Sequence, residues 1–536
     1  MRAVAGRAAP TAESGGEMED QTRNDDVREF ALRLQQALRD DPATGTERWR
    51  AAVEDGLSRA YAAGDIVALC DVVQAIVSLL DAQGRLRDAA SEVSHAIALA
   101  GRDPNALAML HSMSATLLAA CGELPAAHDA VKKAEDCLSA AEIPFAVAKC
   151  RANCTVARLL ALDSDAVDLS GFELGASADA RAADALFLMS YLIPYQLATG
   201  ARADAHPWLR TFRLQASAAN HEYRLADVRL FEAAEAAIAA PLEPRDPGEI
   251  SRWHWLGNWR AGVLHFRQQL LRRNWAEAEM SLQALLRARR RAGQAQLDPI
   301  DGFEMLLMAL LERADGGRAG LHPPQSVHLL NLPSTFAAAE AVALDGSQSA
   351  AAAWYQWFES RLPAAVLTSM EWPVSRWRLQ ALLALRAGNE RAAKRDLEHA
   401  VQWAADAAYP VEFATAQVQL SELLRHRGVG TRRAWRELRQ GGSDSLRAAG
   451  LDATAFAYAV ARTPPALSSQ GLVSRLTPRE SEVLGYLAEG LSYRAAADLM
   501  GVKWTTVQTL THRCYEKLEA SGRRAAIEKA REMGVL

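Results

Sequence analysis

Lys503, Thr505, Thr506, Gln508, Thr509, His512, Arg513 and Lys517 fall within one short segment near the end of the 536-residue chain. They bring cations, hydroxyls and one carboxamide to the same few turns. A carboxamide makes two hydrogen bonds to the edge of an adenine, and Lys and Arg neutralise phosphates; phosphate contacts set register and base-edge contacts set sequence. Such a set suits recognition of nucleic acid better than bond-breaking. Elsewhere the chain offers isolated bases, among them His95, His128, His221 and His254, without a nucleophile-and-base signature or paired carboxylates at diagnostic spacing. No enzyme and no cofactor are expected. The six cysteines are Cys70, Cys121, Cys137, Cys150, Cys154 and Cys514. Cys150 and Cys154 share a helix face, but no His or Cys cluster completes a metal-ligand spacing. No metal site is expected, and the thiols read as buried groups in a reducing compartment.

The elements that must position the polar segment run from Leu476 to Leu536. Thr477 caps a first helix, Pro478 takes its first position, and Glu480, three after the threonine, completes a capping box. Val483, Leu484 and Leu487 form its inward stripe. Gly490 ends it, and Ser492 caps a short second helix with Ala496, Ala497 and Leu499 on the buried side. Gly501 supplies a tight turn before a third helix, from about Trp504 to Leu518, with Val507, Cys514 and Leu518 as core positions. Trp504 is expected to pack on the second helix. Two short helices joined by a glycine turn, the second led by small polar residues, are the plan of a major-groove reader. The turn sets the crossing angle, and the exposed face of the third helix enters a groove about 12 Å wide.

This segment resembles the LuxR/GerE family of bacterial helix-turn-helix regulators. The matching pieces are LTPRE, VL, LAEGLS, the small AA pair of the second helix, TV at 506–507, YEKL at 515–518 and the closing REMGVL. The resemblance implies that the third helix reads the major groove of double-stranded DNA and that the first two brace it. It implies a fourth helix, about 523–533, that pairs with its counterpart in a homodimer on DNA. It assigns DNA contact to Lys503, Thr505, Thr506, Gln508, Thr509, His512, Arg513 and Lys517. Gln508 and Thr509 go to base edges, and Lys503, Arg513 and Lys517 to phosphates, with Arg479 and Arg494 reaching the backbone from the first two helices. Some positions depart from the family pattern. Lys503 stands where a capping Ser is usual, which passes the cap to Thr505 or Thr506 and shifts the helix start by a residue or two. Gln508 replaces a phosphate-seeking Lys. Leu510 and Thr511 invert the usual polar-then-apolar order, which either rotates the helix slightly or weakens one core contact.

The remaining chain is Ala- and Leu-rich with few long β-branched runs, so helix is expected nearly throughout. The fold class is all-α: a helical-repeat arm followed by the small four-helix reader. Residues 1–27 read as a disordered tail and 28–463 as the arm, with breaks near 245 and over 314–334. Residues 464–472 form a Pro- and Ser-containing linker and 473–536 the reader. Helical pattern resumes near Ala337 and runs to Ala448, split by Gly-Ser at 441–443. Within the arm, Gly84, Ala89, Val93 and Ala96 return 38 residues later as Gly122, Ala127, Val131 and Ala134. The spacing recurs at Gly200, Ala205, Leu209 and Phe212, and at Gly388, Ala393, Leu397 and Ala400. A glycine ends the first helix of each pair, and small side chains on the second let the backbones approach. The pattern resembles the tetratricopeptide repeat, although its consensus Trp, Tyr and Pro positions are mostly absent.

From Gly471 onward there are ten Lys/Arg against eight Asp/Glu, leaving fifty against fifty-seven in the rest. A weakly basic end on an acidic body suits a small nucleic-acid reader, not a chain that coats DNA along its length. No stretch reaches eighteen uninterrupted apolar residues, and the N-terminus lacks a signal-peptide core, so no membrane association and a cytoplasmic location are expected. The chain contains no Gly-Lys pair, which excludes a phosphate-binding P-loop. The arm is expected to bind an effector, protein or small molecule, and to gate a transcriptional regulator. The alternative is an interaction scaffold with a degenerate DNA-binding domain.

Overall fold

A computed structural model describes residues 66–163, 180–219, 222–242, 255–291, 300–311, 322–427, 432–453, 478–518 and 522–532, with 29, 456 and 520. The expected tail, the linker at 464–472 and the break near 245 lie outside the described residues. Every regular element among those described is an α-helix. In chain order the first eight are α1 (Ile66–Ala82), α2 (Leu86–Leu99), α3 (Pro104–Ala120), α4 (Leu124–Leu138), α5 (Pro144–Leu160), α6 (Ala180–Ala198), α7 (Arg202–Ala218) and α8 (Glu222–Ala239). Then follow α9 (Trp255–Arg272), α10 (Trp275–Arg291), α11 (Ile300–Leu310), α12 (Leu332–Asp345), α13 (Gln348–Ser360), α14 (Arg376–Arg386), α15 (Glu390–Asp406), α16 (Pro410–Arg427) and α17 (Arg432–Ala448). The C-terminal set is α18 (Pro478–Ala488), α19 (Tyr493–Met500), α20 (Trp504–Lys517) and α21 (Arg523–Glu532).

The four glycine-led repeats become four helical hairpins with one shared turn. Gly84, Gly122, Gly200 and Gly388 have φ of +76°, +77°, +75° and +84°, the left-handed region where a Cβ is penalised. In each, the glycine amide donates to the carbonyl three residues back and the next amide to the carbonyl five back, at 2.7 to 3.2 Å. These bonds close the first helix and satisfy carbonyls that its end leaves open. The small residues then pack inward: Ala89, Val93, Ala96, Ala127, Val131, Ala134, Ala205, Phe212, Ala393, Leu397 and Ala400 are buried. Leu209 is half-buried.

A fifth hairpin, α9/α10, has the same turn with no glycine. Arg273 holds φ +57° there, and Ala278, Leu282 and Leu285 are buried at the offsets that Ala89, Val93 and Ala96 take from Gly84. The recurrence is invisible when glycine is taken as its marker.

From α1 to α17 consecutive helices stack, and α8 touches α16 while α9 touches α1, so distant parts of the arm share one interior. Two non-helical segments thread that interior. In the first, Leu329 donates to the Leu160 carbonyl at 2.8 Å, and Val327, His328, Leu329 and Leu330 are buried. In the second, the amides of Leu367 and Thr368 donate to the Ala198 carbonyl at 3.0 and 2.9 Å. Arg376 closes this segment by donating to the carbonyls of Phe358, Pro363 and Val366. Backbone groups stripped of water must be paired somewhere, and helix ends and one guanidinium supply the partners.

Two expectations fail in this region. The helix after the second break begins at Leu332 rather than near Ala337, because Pro333 falls in the first turn, where its missing amide costs nothing. Helix α17 runs unbroken through Gly441, Gly442 and Ser443. Gly442 faces α16 so closely that a Cβ would lie 2.7 Å from the Ala414 carbonyl oxygen, whereas one on Gly441 meets only Gln417 Oε1 at 3.9 Å. Neighbouring glycines thus make opposite predictions. Gly441→Ala should stabilise by about 0.5–1 kcal/mol through helix propensity. Gly442→Ala should destabilise by about 1–3 kcal/mol through overpacking, less that same gain. Urea unfolding of both variants checks the signs.

Candidate nucleic-acid interface

The C-terminal helices assemble as the turn residues dictate. Ser492 accepts from the Ala495 amide at 3.2 Å and starts α19. Gly490 (φ +90°) and Gly501 (φ +62°) end α18 and α19 in the left-handed conformation. Val483, Leu487, Ala496, Ala497 and Val507 form one buried cluster, and Leu484, Cys514, Leu518, Ala526 and Ala530 a second. All the core positions expected on the first and third helices are therefore inside. Burial pushes the Cys514 thiol up to about 11, and its Sγ donates to the Glu480 carbonyl at 3.3 Å.

On α20 the opposite face is open. Thr505, Thr506, Gln508, Thr509, His512 and Arg513 are exposed, and Lys503 is exposed just before the helix. Thr505, Thr509 and His512 follow helical spacing along this face, with Gln508 and Arg513 flanking them. The Thr509 hydroxyl donates back to the Thr505 carbonyl at 3.0 Å. Among the described residues neither Gln508 nor Arg513 is engaged by a hydrogen bond or ion pair. The start of α20 does not shift: the Lys503 carbonyl accepts from the Thr506 and Val507 amides at 2.9 and 3.3 Å, and Thr505 and Thr506 sit inside the first turn. Thr477, the expected cap of α18, lies outside the described residues.

Three side chains depart from expectation. Lys517 is half-buried, and its ammonium is 2.5 Å from Oε2 of Glu480, which is itself buried, so it ties α20 to α18. The signal was available in Glu480, a carboxylate too deep in the domain to remain without a cation. Trp504 is 50% exposed and Leu499 61% exposed; neither packs into the domain as expected. The inverted pair settles without loss. Thr511 is buried with its hydroxyl donating to the Val507 carbonyl at 2.8 Å, and Leu510 packs half-buried beside Val507.

Helix α21 is tied back to α18 by Arg523, whose guanidinium donates to the Leu487 carbonyl at 2.6 Å. It is the fourth helix expected over 523–533. Residues 474–530 match the family of bacterial regulatory proteins described as the luxR family. This is a LuxR/GerE-type helix-turn-helix domain. No curated protein and no solved structure matches the chain. The LuxR/GerE-type domain is a non-catalytic DNA-binding module. Among the described residues no group of three or more His, Cys, Asp or Glu is placed to hold a metal ion, and no helix is long and apolar enough to cross a membrane.

Proposed function

We propose that the protein is a sequence-specific transcriptional regulator that reads the major groove of double-stranded DNA with α20. The observation that carries this is the uninterrupted polar face of α20 opposite a closed core. On this reading Gln508 and Thr509 meet base edges, Lys503 and Arg513 meet phosphates, and Thr505, Thr506 and His512 complete the contact. Lys517, assigned to a phosphate by the family pattern, instead keeps the helix in place. The protein works as a homodimer on DNA through α21, which buries Ala526 and Ala530 inward and exposes Arg524, Glu528 and Arg531. The domain spans 473–536, the linker 464–472 and the arm 28–463. The arm is a tetratricopeptide-like array, supported by five hairpins with one turn geometry, and it senses an effector in the cytoplasm.

Binding of genomic fragments by the full-length protein at about 150 mM salt tests this. Recurring sites should be held ~10³-fold or more above bulk fragments. A Gln508→Ala, Arg513→Ala variant should lose about 10–100-fold in affinity for them, as one base-edge contact is worth about 1–3 kcal/mol. Folded full-length protein with no preferred fragment, with and without the arm's effector, would sink the proposal.

A further inference from the structure

At the heart of the arm lies a set of charged groups that the DNA-reading domain does not use. Arg260 and Glu371 pair at 3.0 Å, and Arg378 and Glu412 at 2.8 Å, with all four side chains nearly inaccessible. Arg267, on the same helix as Arg260, is different. It is half-buried, its guanidinium lies 5.6 Å from the centroid of the Trp372 ring, and among the described residues no carboxylate reaches it within ion-pair distance. Burial draws its pKa down to about 10, with Glu340 and Glu412 opposing that shift from further off. Glu340 is the second loosely held group. Its Oε2 accepts from Trp372 Nε1 at 3.2 Å, while Oε1 is 4.0 Å from Arg378 and the side chain is 21% exposed. Trp372 is itself locked, 2% exposed and packed on Phe266 and Phe303. One buried indole therefore carries a guanidinium on its face and a carboxylate on its N–H, both partly accessible and not in direct ion-pair contact with each other.

We infer that Arg267 and Glu340 form a receptor for a free amino acid, the guanidinium taking the ligand's carboxylate and the Glu340 carboxylate its ammonium. Charge decides the class. Arg267 and Arg378 balance Glu340 and Glu412, so a simple anion or cation would unbalance a largely desolvated cluster, whereas a zwitterion leaves it neutral. Geometry agrees: a guanidinium fork matches a carboxylate in two parallel hydrogen bonds, and stacking on an indole orients it in advance. This inference rests on the reading of the arm as an effector sensor and names the effector's chemistry.

Calorimetric titration of the full-length protein with each of the twenty free amino acids tests it. At least one should bind, and both its carboxamide and its N-acetyl form should bind at least tenfold more weakly. Arg267→Gln and Glu340→Gln should each weaken the free amino acid at least tenfold, while Arg267→Lys, which keeps the charge, should lose less than Arg267→Gln. Circular dichroism identifies a variant that has not folded, and the capped ligands on the parent protein need no variant at all. No binding by any amino acid at 10 mM (roughly the weakest affinity a dedicated small-molecule site would show) overturns the inference. Equal binding of the capped and free forms overturns it as well. Fragment binding by the DNA-reading domain is measured separately, so its failure would not be mistaken for failure here.

Discussion

Replacing Glu412 by alanine is expected to cost the arm about 3–5 kcal/mol of stability, because it strands a buried guanidinium. Glu412 is buried, and its Oε1 accepts from both Arg378 Nε and the Ser375 amide at 2.8 Å. Arg378 is held between this carboxylate and Glu340, and only the Glu412 contact is short. Ser375 in turn caps α14, accepting from the Trp377 and Arg378 amides. Loss of Glu412 thus leaves an uncompensated charge and an orphaned amide at the start of one helix. The coupling is checked with Arg378→Met. Each single variant should unfold at much lower urea than the parent, and the double variant should recover a large part of the loss, since the stranded guanidinium and its closest carboxylate are then both gone. Additive losses would show that the ion pair is not the origin of the effect.

Acidification should weaken the arm through one histidine. His328 sits in the first threaded segment, 1% exposed, with Nδ1 unpartnered. Its ring lies so close to Gly122 that a Cβ there would come within 3.1 Å of it. Burial pushes its pKa down from 6.5 to about 4, since nothing nearby offsets the cost of the imidazolium. A depressed histidine binds its proton in the unfolded chain before it does in the folded one. Its contribution is therefore complete above pH 6.5 and falls away as the pH drops from there toward 4. At pH 4.5 the loss should reach about 2–3 kcal/mol relative to neutral pH. Urea unfolding at pH 7 and 4.5, compared between parent and His328→Gln, isolates the effect from carboxylates that titrate in the same range. The parent should lose about 2–3 kcal/mol more than the variant; equal losses would exclude His328 as the responsible group.

The two predictions and the amino-acid receptor share a physical basis. Non-helical segments inside a helical array bring polar backbone and charged side chains into places where water cannot serve them. Arg376 answers that need with carbonyl contacts and Glu412 with a helix cap, whereas His328 answers it by staying neutral. Arg267, held on the Trp372 ring and without a carboxylate in ion-pair distance among the described residues, is where the proposed ligand would meet this interior.

What the sequence by itself determined was local. A glycine with positive φ, followed at five, nine and twelve residues by small or apolar side chains, specifies a helix end and the buried face of the next helix within one turn of chain. Such patterns placed four hairpin turns, the Ser492 cap of α19, the core of α18 and α20, and the polar face carrying Gln508, Thr509 and Arg513. The fifth hairpin was missed because Arg273, not a glycine, adopts the same backbone conformation ahead of the buried Ala278, Leu282 and Leu285. Tertiary structure decided what depends on distant partners. Lys517 left the reading face for a carboxylate 37 residues away. Gly442 proved to be a contact rather than a break because α16 lies against it. The indole that fixes Arg267 and Glu340 comes from a segment whose backbone is anchored at Ala198. Period and backbone conformation are written into a few adjacent residues, but compensation of buried charge is a property of whatever the fold brings within a few ångströms.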